Sequence, residues 1–428
     1  MGLTGIAGTI SNVVPVTSAP LGIRPRGMLE SSPLFIDESY QRSSSMHDVA
    51  IIGGGVIGLS LAWELAGRGA SVVVLDQSRP GTEASWAGAG MLPPGNLEAA
   101  TTPEGRLRGL SHSLWPRWSA ELLELTGIDN GFRREGGLEL RLSEDDASDR
   151  LSPLDREFAH WRDQQIRVEL LDRVEARRCE PRLSPRVAGA IRWPDMGQVR
   201  NPRHLKALLA GCLARGVEIR SGEPVRDIVV RDGRVDRLVL DSVDASAGQY
   251  IAAAGAWTSS LLRRANVSPE IQPLRGQIVL LERLPRPFQH VLNIGPRYLV
   301  PRGDGRVLCG STEEVAGFDK RNTAEGVAGL LELARTLVPE LAEATLERSW
   351  AGLRPRTPDG LPHLGPLPGV GNLWIAAGHF RAGLQLSPGT AAALAPLVLG
   401  QASPISLEGF EVDRTFGSTE RVTPGGCE

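Results

Sequence analysis

Two groups of residues in this 428-residue chain have types and spacings that can do chemistry. The first is Gly53, Gly55 and Gly58, which form G-x-G-x-x-G inside the stretch HDVAIIGGGVIG. The spacing suits a dinucleotide. Gly53 permits a tight turn, Gly55 lets backbone approach a pyrophosphate, and Gly58 lets the following helix pack closely on the preceding strand. The same glycines also serve an ordinary tight turn in a doubly wound sheet, and they do not separate FAD from NAD. The second group is Arg354 and Arg381, in WAGLRPRTPDG and GHFRAGLQLSPGT. A guanidinium in apolar company costs free energy unless it is paired, so each needs a fixed anion. That anion is either a protein carboxylate or a ligand.

The elements that must hold these groups are legible in the hydrophobic pattern. Residues 49–52 are mostly branched and apolar, the composition of a strand buried on both faces. Residues 59–67 continue at helical period, so the amides at the helix start face the phosphates with the positive end of the dipole. A second apolar strand over 71–75 ends at Asp76, about 20 residues beyond the glycines, where a carboxylate takes ribose hydroxyls or is simply a solvated strand-end acid. Residues 79–94, RPGTEASWAGAGMLPP, are too rich in Gly, Ala and Ser for regular structure and read as a loop that lies close against a ring or phosphate.

Further along, Leu114, Trp118, Leu122 and Leu125 give a packing face to a helix over 111–126. A strand follows over 136–142 and a charged helix over 143–165. A helix over 201–215 has Asn201 as its cap and Pro202 at its first position. Strands are expected at 217–220, 225–230 and 235–240. QYIAAAGAW, residues 249–257, reads as a buried strand returning to the nucleotide sheet, since its small side chains leave room for a dinucleotide. Residues 272–312 alternate as strands, with Tyr298 in one of them, and residues 325–338 return to helix. A final strand, NLWIAAG, leads into a helix that begins around Arg381 to Gly383.

Composition bounds the rest. At 428 residues the chain has room for two domains, and its formal charge of -3 gives no electrostatic case for nucleic acid or an anionic membrane. No apolar run reaches the ~18 to 20 residues a bilayer span requires, so a cytoplasmic protein is expected. Cys179, Cys212, Cys309 and Cys427 lie far apart without metal-ligand spacing, which suits a reduced compartment and no metal centre. Residues 1–45 are rich in Ser, Pro and Gly and read as a poorly ordered extension, which a start codon placed upstream of Met46 would explain.

Taken together, HDVAIIGGGVIG, ASWAGAGML, WAGLRPRTPDG and GHFRAGLQLSPGT resemble the D-amino-acid oxidase family of FAD flavoproteins, and within it the glycine oxidase branch of thiamine biosynthesis. The resemblance covers residues 46 to 415. It implies an α/β fold in which a Rossmann-type, glutathione-reductase-like FAD-binding domain carries an inserted α+β substrate domain on a mixed or antiparallel sheet. The FAD-binding domain is expected over 46–130, 170–262 and 345–415, the substrate domain over 131–169 and 263–344, and a flexible tail over 416–428. Noncovalent FAD is implied, because residues 349–363 hold no cysteine for a tether. Carried over position by position, its contacts fall on Val56 and Ile57 beside the glycines, Asp76, Gln77, Ala84, Ser85, Ala89, Gly90, Met91 and Val225. They continue through His379, Phe380, Arg381, Ala382, Gly383, Leu384 and Gln385. The carboxylate-binding positions match Arg354, Arg381 and Tyr298.

The implied reaction is oxidative deamination of glycine or another small amine. Hydride passes to flavin N5, an imine forms, and dioxygen becomes hydrogen peroxide, with no side chain acting as a strong base. Thiazole synthase as partner and a homotetramer are implied by the family alone. A D-amino-acid or hydroxyproline dehydrogenase passing electrons to a carrier, and a non-catalytic FAD-binding protein, are the competing readings. Two departures stand out. Asp76 replaces the more frequent glutamate, and Glu313 stands where a methionine-like residue lines the pocket in that branch, so its carboxylate would repel a substrate carboxylate but favour its ammonium.

Overall fold

The structure is a computed structural model that describes residues 46–143 and 153–414. The expected extension over 1–45, the tail over 416–428 and residues 144–152 of the expected charged helix lie outside the described residues. A six-stranded sheet forms first from the glycine-turn strand. His47–Ile52 pairs in parallel with Val72–Asp76 on one side and Ala247–Ala252 on the other. Glu218–Ser221 extends one edge, while Leu373–Ala377 and the antiparallel His363–Pro366 extend the other. Both faces of the central strands are buried: Val49 and Ile51 enter one apolar cluster, Ala50 and Ile52 a second. Burial on both faces is why these strands are continuous apolar runs without alternation.

Helix Val56–Gly67 covers one face and packs against the C-terminal helix Gly383–Val398. A third helix on that face, Pro103–Thr126, is longer than the packing face suggested. Thr102 caps its start and Gly127, at φ 69, closes it in the left-handed region that glycine adopts freely. Trp118 and Leu122 are buried as expected, whereas Leu125 is 48% exposed.

The second sheet has eight strands in the order Thr345–Arg356, Gln272–Glu282, Arg306–Gly310, Arg297–Pro301, Val291–Ile294, Gly137–Leu142, Val187–Trp193, Glu169–Asp172. It is mixed, since Val291–Ile294 runs parallel to Gly137–Leu142 while the neighbouring pairs are antiparallel. Residues 170–172, Val187–Trp193 and Thr345–Arg356, which lie in the segments expected for the FAD-binding domain, hydrogen-bond into the eight-stranded sheet. Apolar runs state that a strand is buried without stating which sheet buries it. The helix opened by Pro202 is present as Asn201–Ala214, but Arg200 occupies its cap position and Asn201 is already helical. No helix among the described residues is long and apolar enough to cross a membrane.

Glu139, buried in the second sheet, gives the fold a pH dependence. Burial, with the Glu157 carboxylate adding to it, pushes Glu139 up to about 8 from an ordinary 4.5, although the Gly295 amide donates to its Oε1 at 2.7 Å. The folded protein therefore holds this proton while the unfolded chain releases it near 4.5. Its contribution is fully present below pH ~4.5 and is lost as pH rises toward 8, with a limit of a few kcal/mol, order-of-magnitude. Glu139→Gln is expected to raise the denaturation midpoint over the parent at pH 8 and to leave it nearly unchanged at pH 4.5. Paired urea melts at the two pH values read the difference.

Candidate active site

The two sheets meet at one large cavity of about 510 Å³, well inside the range of cofactor and small-ligand sites. One end is built on the glycine turn. Gly53 has φ 111, and a Cβ there would collide with the Ala253 carbonyl of the neighbouring strand. A Cβ on Gly58 would collide with the Gly53 carbonyl, so this glycine sets helix-to-strand packing and does not itself line the cavity. Gly55, Val56 and Ile57 do line it. The helix they begin has no side-chain cap of its own and no acid in its first turn. The Ser85 hydroxyl accepts from the Val56 amide at 2.9 Å across the cavity wall. Such an amide-rich helix start favours an anion.

Asp76 closes this end. Its Oδ2 accepts from the Gly54 amide at 2.7 Å and its Oδ1 from the Ser78 amide at 2.8 Å, so the carboxylate also pins the turn. Beside it, Glu223 donates its amide to the Asp76 carbonyl at 2.8 Å, and Glu223 Oε2 is buried without a partner. Glu223 lines the cavity with Gln77 and Val225, and it escaped the sequence reading because one acid in a turn, SGEPV, carries no distinguishing spacing.

The small-residue loop holds more regular structure than its composition suggests: one helical turn, Ala84–Ala87, and a short strand, Met91–Leu92. Distant side chains hold it. Asn201, freed from capping, donates to the Ser85 carbonyl at 2.8 Å, and Trp350 donates to the Ala87 carbonyl at 3.0 Å. Buried Arg302 donates to the Ala89 carbonyl at 2.7 Å, the Val199 carbonyl at 3.1 Å and Gln198 Oε1 at 2.7 Å. Burial lowers Arg302 to about 10, which leaves it charged at neutral pH. Ala84, Ser85, Ala89, Gly90 and Met91 are thereby fixed along the wall.

The other end is built from the second sheet and the C-terminal helix. Arg354 donates to the Thr312 carbonyl at 3.1 Å and to the Ser311 hydroxyl. Both acceptors are neutral, and no described carboxylate lies within ion-pair distance of it. Gly276, on the paired strand, is where the guanidinium lies: a Cβ there would overlap it. Tyr298 sits nearby, opposite Gly310 in the strand register, and a Cβ on Gly310 would come within 2.7 Å of its ring and hydroxyl. Burial raises the Tyr298 hydroxyl, opposed by the Arg354 charge, so it stays protonated at neutral pH.

Arg381 answers its pairing question differently. Its Nε and one terminal nitrogen donate to the two oxygens of Glu313 at 2.6 Å each, and its guanidinium stacks 4.9 Å from the Phe380 ring centre. Arg381 thus lines the cavity with an anion supplied by the protein, one of the two outcomes its sequence setting left open, and Glu313 is absent from the lining. The pairing joins residues 68 positions apart, which spacing could not foresee. His379, Phe380, Gly383, Leu384 and Gln385 line this end, while Ala382, the residue capping the helix, does not. Burial drops His379 to about 3 and its Nε2 contacts Thr390 Oγ1 at 3.0 Å. His363, which lies off the cavity beside Arg414, is lowered to about 4.

Residues 48–397 match the family model described as FAD dependent oxidoreductase, DAO. Among similar proteins, glycine oxidase of Pseudomonas putida is 36% identical over 358 residues, covering 83% of this chain and 95% of the relative. The bifunctional protein ThiO/ThiG of Trichormus variabilis is 34% identical over 88% of this chain and 56% of its own length. The crystal structure of glycine oxidase from Geobacillus kaustophilus superposes with a TM-score of 0.81 at 35% identity, covering 87% of this chain and 100% of that one. Match, identity and superposition agree with the two-sheet cavity, and the chain belongs to the DAO family of FAD-dependent oxidoreductases.

Proposed function

We propose that the chain catalyses FAD-dependent oxidative deamination of glycine or another small amino acid, with dioxygen as acceptor. The observation that carries this reading is Arg354, a half-buried guanidinium in the cavity wall whose own partners are a hydroxyl and a carbonyl. A cation held in place but not neutralised is suited to a substrate carboxylate, which it can grip with two parallel charged hydrogen bonds. Tyr298 supplies a further donor. The names of the full-length glycine oxidase relatives support the same substrate.

The wall fits FAD. The amide-rich helix start after Gly55, the close-approach glycines and the acids Asp76 and Glu223 suit a dinucleotide's phosphates and ribose hydroxyls. Gly53, Gly55, Val56, Ile57, Gln77 and Val225 would hold the nucleotide half. Ala84, Ser85, Ala89, Gly90 and Met91, with His379, Phe380, Arg381, Gly383, Leu384 and Gln385, would hold the flavin half. The six-stranded sheet thus serves as the cofactor side and the eight-stranded sheet as the substrate cover. When bound, FAD supplies hydride acceptance and returns electrons to dioxygen as hydrogen peroxide.

The chain's own part is positioning. Arg354 and Tyr298 fix the carboxylate end and so remove orientational freedom from the amine. His379, neutral at working pH and engaged by Thr390, is too weak a base to take the amine's proton. The amine must therefore arrive or become neutral by losing its proton to solvent. Helix Gly383–Val398 presents its N-terminal residues at the cavity wall, which favours negative charge there. The fusion named in the ThiO/ThiG relatives supports thiazole synthase as a partner and consumer of the imine. A cytoplasmic homo-oligomer completes this reading.

Anaerobic addition of glycine to the FAD-loaded protein is expected to bleach its visible absorbance, and readmitted air to restore it with hydrogen peroxide. Bleaching with dye reduction but no peroxide assigns a dehydrogenase instead. No bleaching by glycine, sarcosine or D-alanine removes the proposal.

A further inference from the structure

Arg354 and Arg381 line one cavity, yet only Arg381 has a protein carboxylate. The two guanidiniums are held by consecutive residues: the Thr312 carbonyl accepts from Arg354 and the Glu313 side chain accepts from Arg381. Thr312 and Glu313 are adjacent in the chain, and both guanidiniums line the same cavity. A backbone hydrogen bond from Phe380 to the Pro355 carbonyl, 3.0 Å long, ties the segments that carry them a second time. A second ligand carboxylate in this cavity would need Arg381, and Glu313 already fills that position with a bidentate, half-exposed pair.

We propose that Glu313 sets substrate choice by occupying the anion position of Arg381, leaving Arg354 to clamp a single carboxylate and discriminating against amines that carry two. The inference rests on the carboxylate clamp proposed above and deepens it. A second carboxylate entering beside Glu313 meets a like charge and must compete for Arg381, which disfavours it without a steric block. Paired with Arg381, the Glu313 carboxylate is partly neutralised toward the single carboxylate of glycine.

The test uses the FAD-loaded protein and two readouts. Dissociation constants for acetate and succinate come from perturbation of the flavin spectrum, and kcat/KM is measured for glycine and for iminodiacetate. In Glu313→Gln the preference for succinate over acetate, and for iminodiacetate over glycine, is expected to rise about tenfold. Adding Arg381→Met should return both ratios toward the parent. A single variant whose ratios stay within about threefold of the parent, or a gain that survives loss of Arg381, overturns the proposal. Failure of the underlying clamp reads differently: Arg354→Ala would then leave acetate binding unchanged, whatever Glu313 does.

Discussion

Arg354→Ala in the FAD-loaded protein is expected to lose about 2 to 5 kcal/mol of binding and positioning, roughly 30- to 4,000-fold in kcat/KM for glycine. The size follows from the setting. The guanidinium is half-buried, hydrogen-bonded to Ser311 and Thr312, and has no partner among the described carboxylates, so its charge is available to the ligand at little reorganisation cost. Truncation also leaves the substrate carboxylate desolvated without its partner. Arg354→Lys should recover only part of the loss, because a point charge cannot reproduce two parallel donors. Gly276→Ala should move in the same direction, since its Cβ would displace the guanidinium while leaving every charge in place. Steady-state kinetics with glycine, alongside the flavin spectrum to confirm loading, measures the series. Normal saturation by glycine in the alanine variant would remove the clamp.

Gly58→Ala is expected to lower the thermal midpoint and strip FAD on desalting. In an ordinary helix the same change stabilises by about 0.5 to 1 kcal/mol, so the sign alone is informative. Here the added Cβ, whose position the backbone fixes, meets the Gly53 backbone carbonyl, so no rotamer relieves the clash. The start of helix Val56–Gly67 must retreat from strand His47–Ile52, at an overpacking cost of about 1 to 3 kcal/mol. Its first-turn amides retreat with it, and with them the proposed phosphate cradle. The ratio of visible to ultraviolet absorbance after desalting, and melts of loaded and stripped protein, separate the two losses. A variant that melts higher and keeps its flavin would show that the close packing is not what this glycine provides.

Chemistry that is local in sequence was legible before the fold. The turn from Gly53 to Gly58 lies between a strand and a helix that are contiguous with it, and Asp76 ends the next strand, so short-range pattern contains the whole cradle. Arg354 and Tyr298 were visible as polar groups in apolar strands, and motif resemblance gave them a common purpose. Composition marked the loop from Ala84 to Met91 as one that approaches a ring or phosphate closely, and the resemblance supplied FAD as that group.

What the chain order could not contain were the partners supplied across long separations. Asn201, Trp350 and Arg302 hold the small-residue loop from 116, 263 and 213 positions away. Glu223 acquires meaning only beside Asp76. The sheet that each strand joins was decided by backbone pairing, which depends on register and on neighbours, while an apolar run records burial alone. The clearest division is between the two arginines. By itself the sequence determined that Arg354 and Arg381 each needed an anion, because a desolvated guanidinium is costly in any fold. Tertiary structure alone decided that Glu313 meets Arg381 and that no described carboxylate meets Arg354, since an ion pair is made by distance in space, to which chain separation is blind.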